Sequence, residues 1–291
     1  MMEFKRIGII GGGVMGGGVA CNAAQLGIHV IIVEKDEPSA TFSKEQLSES
    51  LDREIAKWGI TESDKRSILS RIEYTIDLHD LADVDFVLDC TPEIYDVKVS
   101  IVERLKMIIP KEIIIATNTG VLSVTDLSSK LENVDRLVGL HFHYPVPDRK
   151  VVEVVRGLNT SDRAIQVARD FVQTLKKEAV EVFEYPGYIT TRAIVPFLNE
   201  AMHIVMEGIA TIEDVDKAMR LGYDLHMGPL ELADSIGLHT VLAWMEHLFK
   251  ELGESRYRPC PLLRKMIRAN KLGRKTGEGF YKYNEKGEKI V

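Results

Sequence analysis

With 291 residues, 45% of them apolar and 28% charged, the chain has the make-up of an ordinary globular protein long enough for two domains. Its net charge of −7 and its lack of a basic tract argue against nucleic acid or an anionic membrane surface as partner. Three scattered cysteines, Cys21, Cys90 and Cys260, form no CxxC pair, so no disulfide framework or zinc site is expected and a cytoplasmic location fits.

Met1 leads straight into a short apolar run, Lys5 to Ile10, leaving no room for a signal peptide. No apolar run reaches the roughly 20 residues needed to span a bilayer. Gly11-Gly12-Gly13-Val14-Met15-Gly16 follows the first run at once, then a helical stretch from Gly17 to Leu26 and a second apolar run, Val30 to Val33, closed by Glu34. This order is what a dinucleotide needs. Gly11 permits the tight turn, Gly13 lets backbone approach a pyrophosphate, and Gly16 lets the helix pack close to the strand, so the helix N-terminus meets the phosphates. Glu34 then stands where a carboxylate accepts from a ribose 2′-hydroxyl, which favours NAD over NADP. Lys35, directly after it, weakens that preference.

Residues 39 to 70 are charged and helix-favouring, with a break at Trp58-Gly59-Ile60, and read as two helices inserted into the sheet domain. Further strands are expected at Arg71–Ile76, Asp85–Asp89, Glu112–Thr117, Arg136–Leu140, Val151–Val155 and Ala179–Val182, with helices such as Val97–Ile109 and Ala164–Leu175 between them. That alternation predicts an α/β fold, a Rossmann-like, mainly parallel, doubly wound sheet. After Tyr185-Pro186-Gly187 the periodicity becomes helical to the end, with Ile194, Phe197, Leu198, Ala201, Ile204 and Val205 on one face of a long helix. Thr211 is placed to cap the next helix, and Gly228-Pro229 to open another. The expected division is therefore 1–185 for the nucleotide-binding domain and 186–291 for an all-helical domain with apolar surface enough for a dimer or a monomer's core.

An enzyme that oxidises an alcohol with nicotinamide needs a base for the hydroxyl proton, and histidine is the usual one. Of eight histidines, His141 follows the strand Leu137–Leu140, at the sheet edge where open α/β folds bind ligands. Glu153 interrupts the apolar run Val151–Val155, and a carboxylate in a buried strand requires a partner. His141 is one candidate and Lys150 another. His226, His239 and His247 show no metal-ligand spacing with a second ligand, so no metal is expected.

Together Gly11-x-Gly13-x-Met15-Gly16, Pro92-Glu93, His141-Phe142 with Pro145-Val146-Pro147, Val152-Glu153-Val154, Pro186-Gly187, Arg192, the run from His226 to Asp234, Tyr257-Arg258-Pro259 and the run from Leu272 to Tyr281 resemble the L-3-hydroxyacyl-CoA dehydrogenases, in their short 3-hydroxybutyryl-CoA dehydrogenase form. The resemblance runs the length of the chain. It implies a Rossmann-like domain, a helical dimerising domain, NAD as cofactor, an acyl-CoA substrate, a homodimer and a catalytic His141–Glu153 pair. It also implies that Glu93 and Lys98 face the nicotinamide side of NAD and that Asn118 serves both cofactor and catalysis.

Three stretches of the chain depart from the family pattern. The usual Asn-Thr-Ser-Ser reads Asn118-Thr119-Gly120-Val121, which removes a hydroxyl from substrate and cofactor. Thr191 stands where the family has a substrate-contacting asparagine, and can supply a hydroxyl of its own. His-Phe-Phe-Asn-Pro becomes His141-Phe142-His143-Tyr144-Pro145. A smaller residue at 120, with His143 or Tyr144 to fill its space, points to a reshaped substrate pocket bounded by Gly120, Tyr144 and Thr191. For CoA, Lys57 at the end of the inserted helix is the candidate phosphate ligand, although a mixed-charge solvated helix reads the same way. A dehydrogenase of free hydroxy acids within the same superfamily, and a non-catalytic NAD-binding protein, stay open as alternatives.

Overall fold

The computed structural model describes residues 2–56, 59–284 and 287–290. The chain divides into two compact units, Met1–Tyr185 and Pro186–Val291. Among the described residues no helix is long and apolar enough to cross a membrane.

The first unit runs β1 (Arg6–Ile10), α1 (Val14–Gln25), β2 (His29–Val33), α2 (Glu37–Ala56), α3 (Glu62–Leu69), β3 (Ile72–Thr75), β4 (Phe86–Asp89), α4 (Tyr95–Ile108), β5 (Ile115–Asn118), α5 (Val124–Ser128), β6 (Leu137–Phe142), β7 (Val151–Arg156), α6 (Asp162–Thr174) and β8 (Glu178–Phe183). Its strands form one sheet in the order β3-β2-β1-β4-β5-β6-β7-β8. Every pairing is parallel except β6 with β7. The strand interiors are continuously apolar because helices cover both faces. On one face Ile7, Ile9, Leu88, Val138 and Val154 join Val19, Ala23, Ala168 and Phe171 in a single core. Phe86 stacks on Phe171 with ring centroids 4.5 Å apart, and Phe4 meets Phe171 edge-on at 5.4 Å, tying the N-terminal segment and β4 to α6. The inserted charged stretch forms α2 and α3, the latter opened by a reciprocal capping box between Thr61 and Asp64.

The second unit contains α7 (Thr190–Met206), α8 (Ile212–Tyr223), α9 (Pro229–Ile236), α10 (Leu238–Leu252) and α11 (Pro261–Arg268) around a core that includes Val195, Leu198, Leu230, Met245 and Leu263. Thr211 caps α8 by accepting from Asp214 N at 3.1 Å. The expectation of helix alone after residue 189 is corrected by a small antiparallel ladder, β9 (Lys282–Tyr283) with β10 (Lys289–Ile290). Strands this short carry too few residues for an alternating pattern to register.

Two buried acids explain the long motifs of this unit. The Asp216 carboxylate accepts from Leu230 N at 2.8 Å and Glu231 N at 2.9 Å, so it holds the first turn of α9, and a Cβ at Gly228 would sit 2.4 Å from its Cβ. Asp234 accepts from Phe280 N and Tyr281 N, both at 2.9 Å, and from the Tyr283 hydroxyl at 3.0 Å. Burial raises the pKa of both carboxyls while these donors pull the other way. Residues 228–234 and 273–283 are thus a structural lock between α9 and the C-terminal segment.

Candidate active site

The loops after β1, β2, β4 and β5 leave the carboxyl edge of the sheet, and β6 ends there with His141 and Phe142. The turn after β1 has the form the glycines predict. Gly11 takes φ +89°, and a Cβ there would press on the Cys90 carbonyl at 3.1 Å. A Cβ at Gly16 would lie 1.9 Å from the Gly11 carbonyl oxygen, so only glycine lets α1 start this close to the turn. Gly13 is the opposite case: nothing lies within 4 Å of its Cβ position, leaving one open side over the helix start. α1 carries neither a side-chain cap nor an acid in its first turn, so its N-terminal amides and dipole are left for an anion. Met15, in that turn, is partly exposed. Just past β2, Glu34 Oε1 accepts from Gly12 N at 2.8 Å and from the Ser43 hydroxyl, which fixes the carboxylate beside the turn. These features fit a dinucleotide with its pyrophosphate on α1 and a ribose at Glu34.

Beyond β4 the loop is held by a network that the sequence did not reveal. Asp89 is fully buried, and its two oxygens accept from Thr91 N (2.9 Å), Thr91 Oγ1 (2.6 Å), Thr117 Oγ1 (2.8 Å) and Lys98 Nζ (2.9 Å). Lys98 also donates to the Thr91 carbonyl at 3.2 Å. Its ammonium is 0% exposed and committed to this ion pair; such a pair, broken from one side, costs about 3–5 kcal/mol. Glu93 in turn accepts from the Thr119 hydroxyl and from Gly120 N at 3.1 Å, clamping the loop after β5. Asn118 closes β5 and accepts from Phe142 N at 3.2 Å, which joins that loop to the end of β6.

His141 lies inside β6, not just beyond it, and pairs directly with Glu153 of β7 in the antiparallel register. Facing residues of such a pair put their side chains on the same side of the sheet. His141 Nδ1 and Glu153 Oε2 are 2.6 Å apart, and the residues are 5% and 1% exposed. Glu153 therefore takes its hydrogen bond from the imidazole, not from Lys150. With Nδ1–H donating to the carboxylate, Nε2 carries the lone pair. That nitrogen looks onto Gly120, where a Cβ would be 3.0 Å away. The space beside Gly120 is consequently taken by the His141 ring itself, which corrects the expectation that His143 or Tyr144 fills it. Tyr144 is 57% exposed on the β6–β7 connection, and its carbonyl accepts from Arg149 Nε at 3.1 Å.

His143 approaches the same carboxylate, with Nε2 4.0 Å from Glu153 Oε2 and its ring edge-on to His141 at 4.4 Å between centroids. Burial first, and the neighbouring His141 second, push its imidazole down to about 4, so it is neutral at neutral pH. Thr191 belongs to the second unit, on the first turn of α7, buried at 1% exposure, and its hydroxyl has no hydrogen-bond partner among the described residues. Lys57 lies outside the described residues.

Residues 6–185 match the model of the 3-hydroxyacyl-CoA dehydrogenase NAD-binding domain, and residues 187–283 match that of the C-terminal domain. The chain belongs to the 3-hydroxyacyl-CoA dehydrogenase family. Members of this family are oxidoreductases, and the match to its NAD-binding domain makes NAD the cofactor. A probable 3-hydroxybutyryl-CoA dehydrogenase of Bacillus subtilis is 40% identical, covering 98% of this chain and 99% of its own. The mitochondrial hydroxyacyl-coenzyme A dehydrogenase of Sus scrofa is 38% identical, over 96% of this chain and 91% of its own. Among solved structures, (S)-3-hydroxybutyryl-CoA dehydrogenase from Ralstonia eutropha superposes with a TM-score of 0.89 at 39% identity, covering 97% of this chain and all of that one. Such similarity fixes the Rossmann-like fold class.

Proposed function

We propose that this member of the family interconverts a short 3-hydroxyacyl-CoA and its 3-oxoacyl-CoA, with His141 as base and Glu153 as its partner. The observation that carries the reading is the buried Nδ1–Oε2 hydrogen bond at 2.6 Å, in a chain whose relatives are 3-hydroxybutyryl-CoA dehydrogenases. His141 Nε2 takes the proton of the substrate's 3-hydroxyl, and the Glu153 carboxylate holds the ring in the required tautomer and stabilises the imidazolium that forms. In the reverse direction His141 returns that proton to the developing alkoxide. NAD, when bound, supplies the acceptor for the hydride from the same carbon. Gly11, Gly13, Met15 and Gly16 hold its pyrophosphate and Glu34 its ribose.

Glu93 and Asn118 set the loop that carries Gly120 toward His141, and Lys98 supports the nicotinamide side through Asp89 and the Thr91 carbonyl. Thr191, with its unpartnered hydroxyl, is read as a substrate contact, and Gly120 and Tyr144 as the residues that shape the acyl pocket; Lys57 is read as a ligand of the CoA phosphates. A homodimer agrees with the exposed apolar residues Ile209, Leu221, Tyr223 and Leu225 of the second unit, and three free thiols agree with a reducing cytoplasm.

A rate panel with NAD tests the substrate class: 3-hydroxybutyryl-CoA, longer 3-hydroxyacyl-CoAs, and the free acids 3-hydroxybutyrate, gulonate and carnitine. The expected kcat/KM for the short acyl-CoA exceeds that for every free acid by on the order of a hundredfold, because binding energy from the CoA part is used at the reacting carbon. A free acid turned over faster overturns the CoA assignment. NAD binding without turnover on any substrate overturns the enzymatic one.

A further inference from the structure

Among the described residues, His141, His143 and Glu153 are the one group of three ligating side chains whose donor atoms all lie within 4.8 Å of one another. Neither the family's reaction nor the expected cofactor calls on His143, and the family pattern at this position is phenylalanine. The spacing suits a transition metal. Zn–N and Zn–O bonds of about 2.0–2.2 Å put tetrahedral ligand atoms about 3.3–3.5 Å apart. Glu153 Oε2 lies 2.6 Å from His141 Nδ1 and 4.0 Å from His143 Nε2, on either side of that separation. All three residues belong to β6, β7 or the connection between them, so one strand pair and its connection carry the whole set. Two imidazoles and one carboxylate suit zinc, copper(II), nickel(II) or cobalt(II), whereas magnesium and calcium require oxygen ligands.

We infer that His141, His143 and Glu153 form a binding site for a divalent transition-metal ion, with zinc as the physiological class, and that its occupation switches the catalytic base off. The ion takes the place of the proton between His141 Nδ1 and Glu153. The neutral His141 ring then carries its one proton on Nε2, where it has no lone pair left for a substrate hydroxyl. His143 completes the site as third ligand, and water or a small anion takes the fourth position. The metal site follows from geometry within the first unit and does not depend on the substrate; only the inhibition rests on the proposed role of His141.

The test uses the whole protein, freed of metal by a chelator and dialysed. Titration with cobalt(II) is expected to give the visible d–d bands of a tetrahedral nitrogen- and oxygen-bound ion, saturating at one ion per chain, with zinc displacing it. His143→Phe and His143→Gln should each weaken cobalt and zinc binding by at least about tenfold, the scale at which a lost supporting group tells at a metal site. Zinc should inhibit the parent reversibly by chelator, and inhibit each variant, relative to its own metal-free rate, at tenfold or more higher concentration. Absence of the bands in the parent, bands of unchanged affinity in both variants, or thiolate charge-transfer absorption in their place overturns the site. Binding without inhibition overturns the switch while leaving the site in place. Near-ultraviolet dichroism and NAD binding by both variants establish that they are folded.

Discussion

Glu153 stands directly across the antiparallel β6–β7 pair from His141, and its Oε2 lies 2.6 Å from the imidazole Nδ1. Both strands are apolar and covered, and donation from Nδ1–H to the carboxylate fixes the imidazole in one tautomer. Glu153→Gln keeps the size of the side chain and removes its charge. The imidazolium then forms without a counter-charge, and kcat should fall by about 10²–10⁴-fold, the range typical of positioned acid–base catalysis. NAD affinity, measured by calorimetry, should be retained. An unchanged kcat contradicts the pairing as a catalytic one.

Gly120 and His141 make a second sensitive contact. A methyl group at 120 would sit 3.0 Å from His141 Nε2, closer than ordinary packing, so the ring has to give by a few tenths of an ångström. Misplacement of a reacting group by about 1 Å can cost 10²-fold, and a smaller displacement proportionately less. Gly120→Ala is accordingly expected to lower kcat by about tenfold, and Gly120→Ser by less, since its hydroxyl can hydrogen-bond the nitrogen it crowds. Steady-state kinetics of the two variants side by side decide this. An alanine variant faster than the parent contradicts it.

Glu34 is the proposed ribose ligand. Its carboxylate accepts from Gly12 N and the Ser43 hydroxyl, which holds it beside the glycine turn. Hydrogen bonds to charged groups contribute about 1.5–3 kcal/mol. Glu34→Ala should therefore lower kcat/KM for NAD by ten- to a hundredfold, about 1.4 kcal/mol for each factor of ten. It should also raise kcat/KM for NADP, whose phosphate no longer meets a negative charge. An NAD/NADP ratio that does not move removes Glu34 from ribose recognition.

What the sequence disclosed and what it concealed separate along a physical line. The Rossmann-like sheet was legible because covered parallel strands are nearly continuous apolar runs, and because Gly11 and Gly16 are each required by backbone contacts inside one short turn. His141 and Glu153 were legible as a pair of polar interruptions in such runs, twelve residues apart. The hairpin register that places them face to face was not, and His141 was accordingly expected just past the strand. Concealed too were the groups whose partners come from distant elements. Asp89 meets Lys98 only once α4 has packed beside β4, and Thr117 reaches it from β5. Asp234 finds its donors forty-six and more residues further on. His143 looked like a substitution at the pocket, yet the fold turns it onto Glu153. The ladder of β9 and β10 is too short to register in any periodicity.

The central claim is that His141 is the base. The most direct measurement is the turnover of His141→Gln with NAD and 3-hydroxybutyryl-CoA, alongside its affinity for NAD. Loss of at least about 10²-fold in kcat with NAD binding nearly intact is the predicted result. A variant that turns over at a rate comparable to the parent would contradict the account.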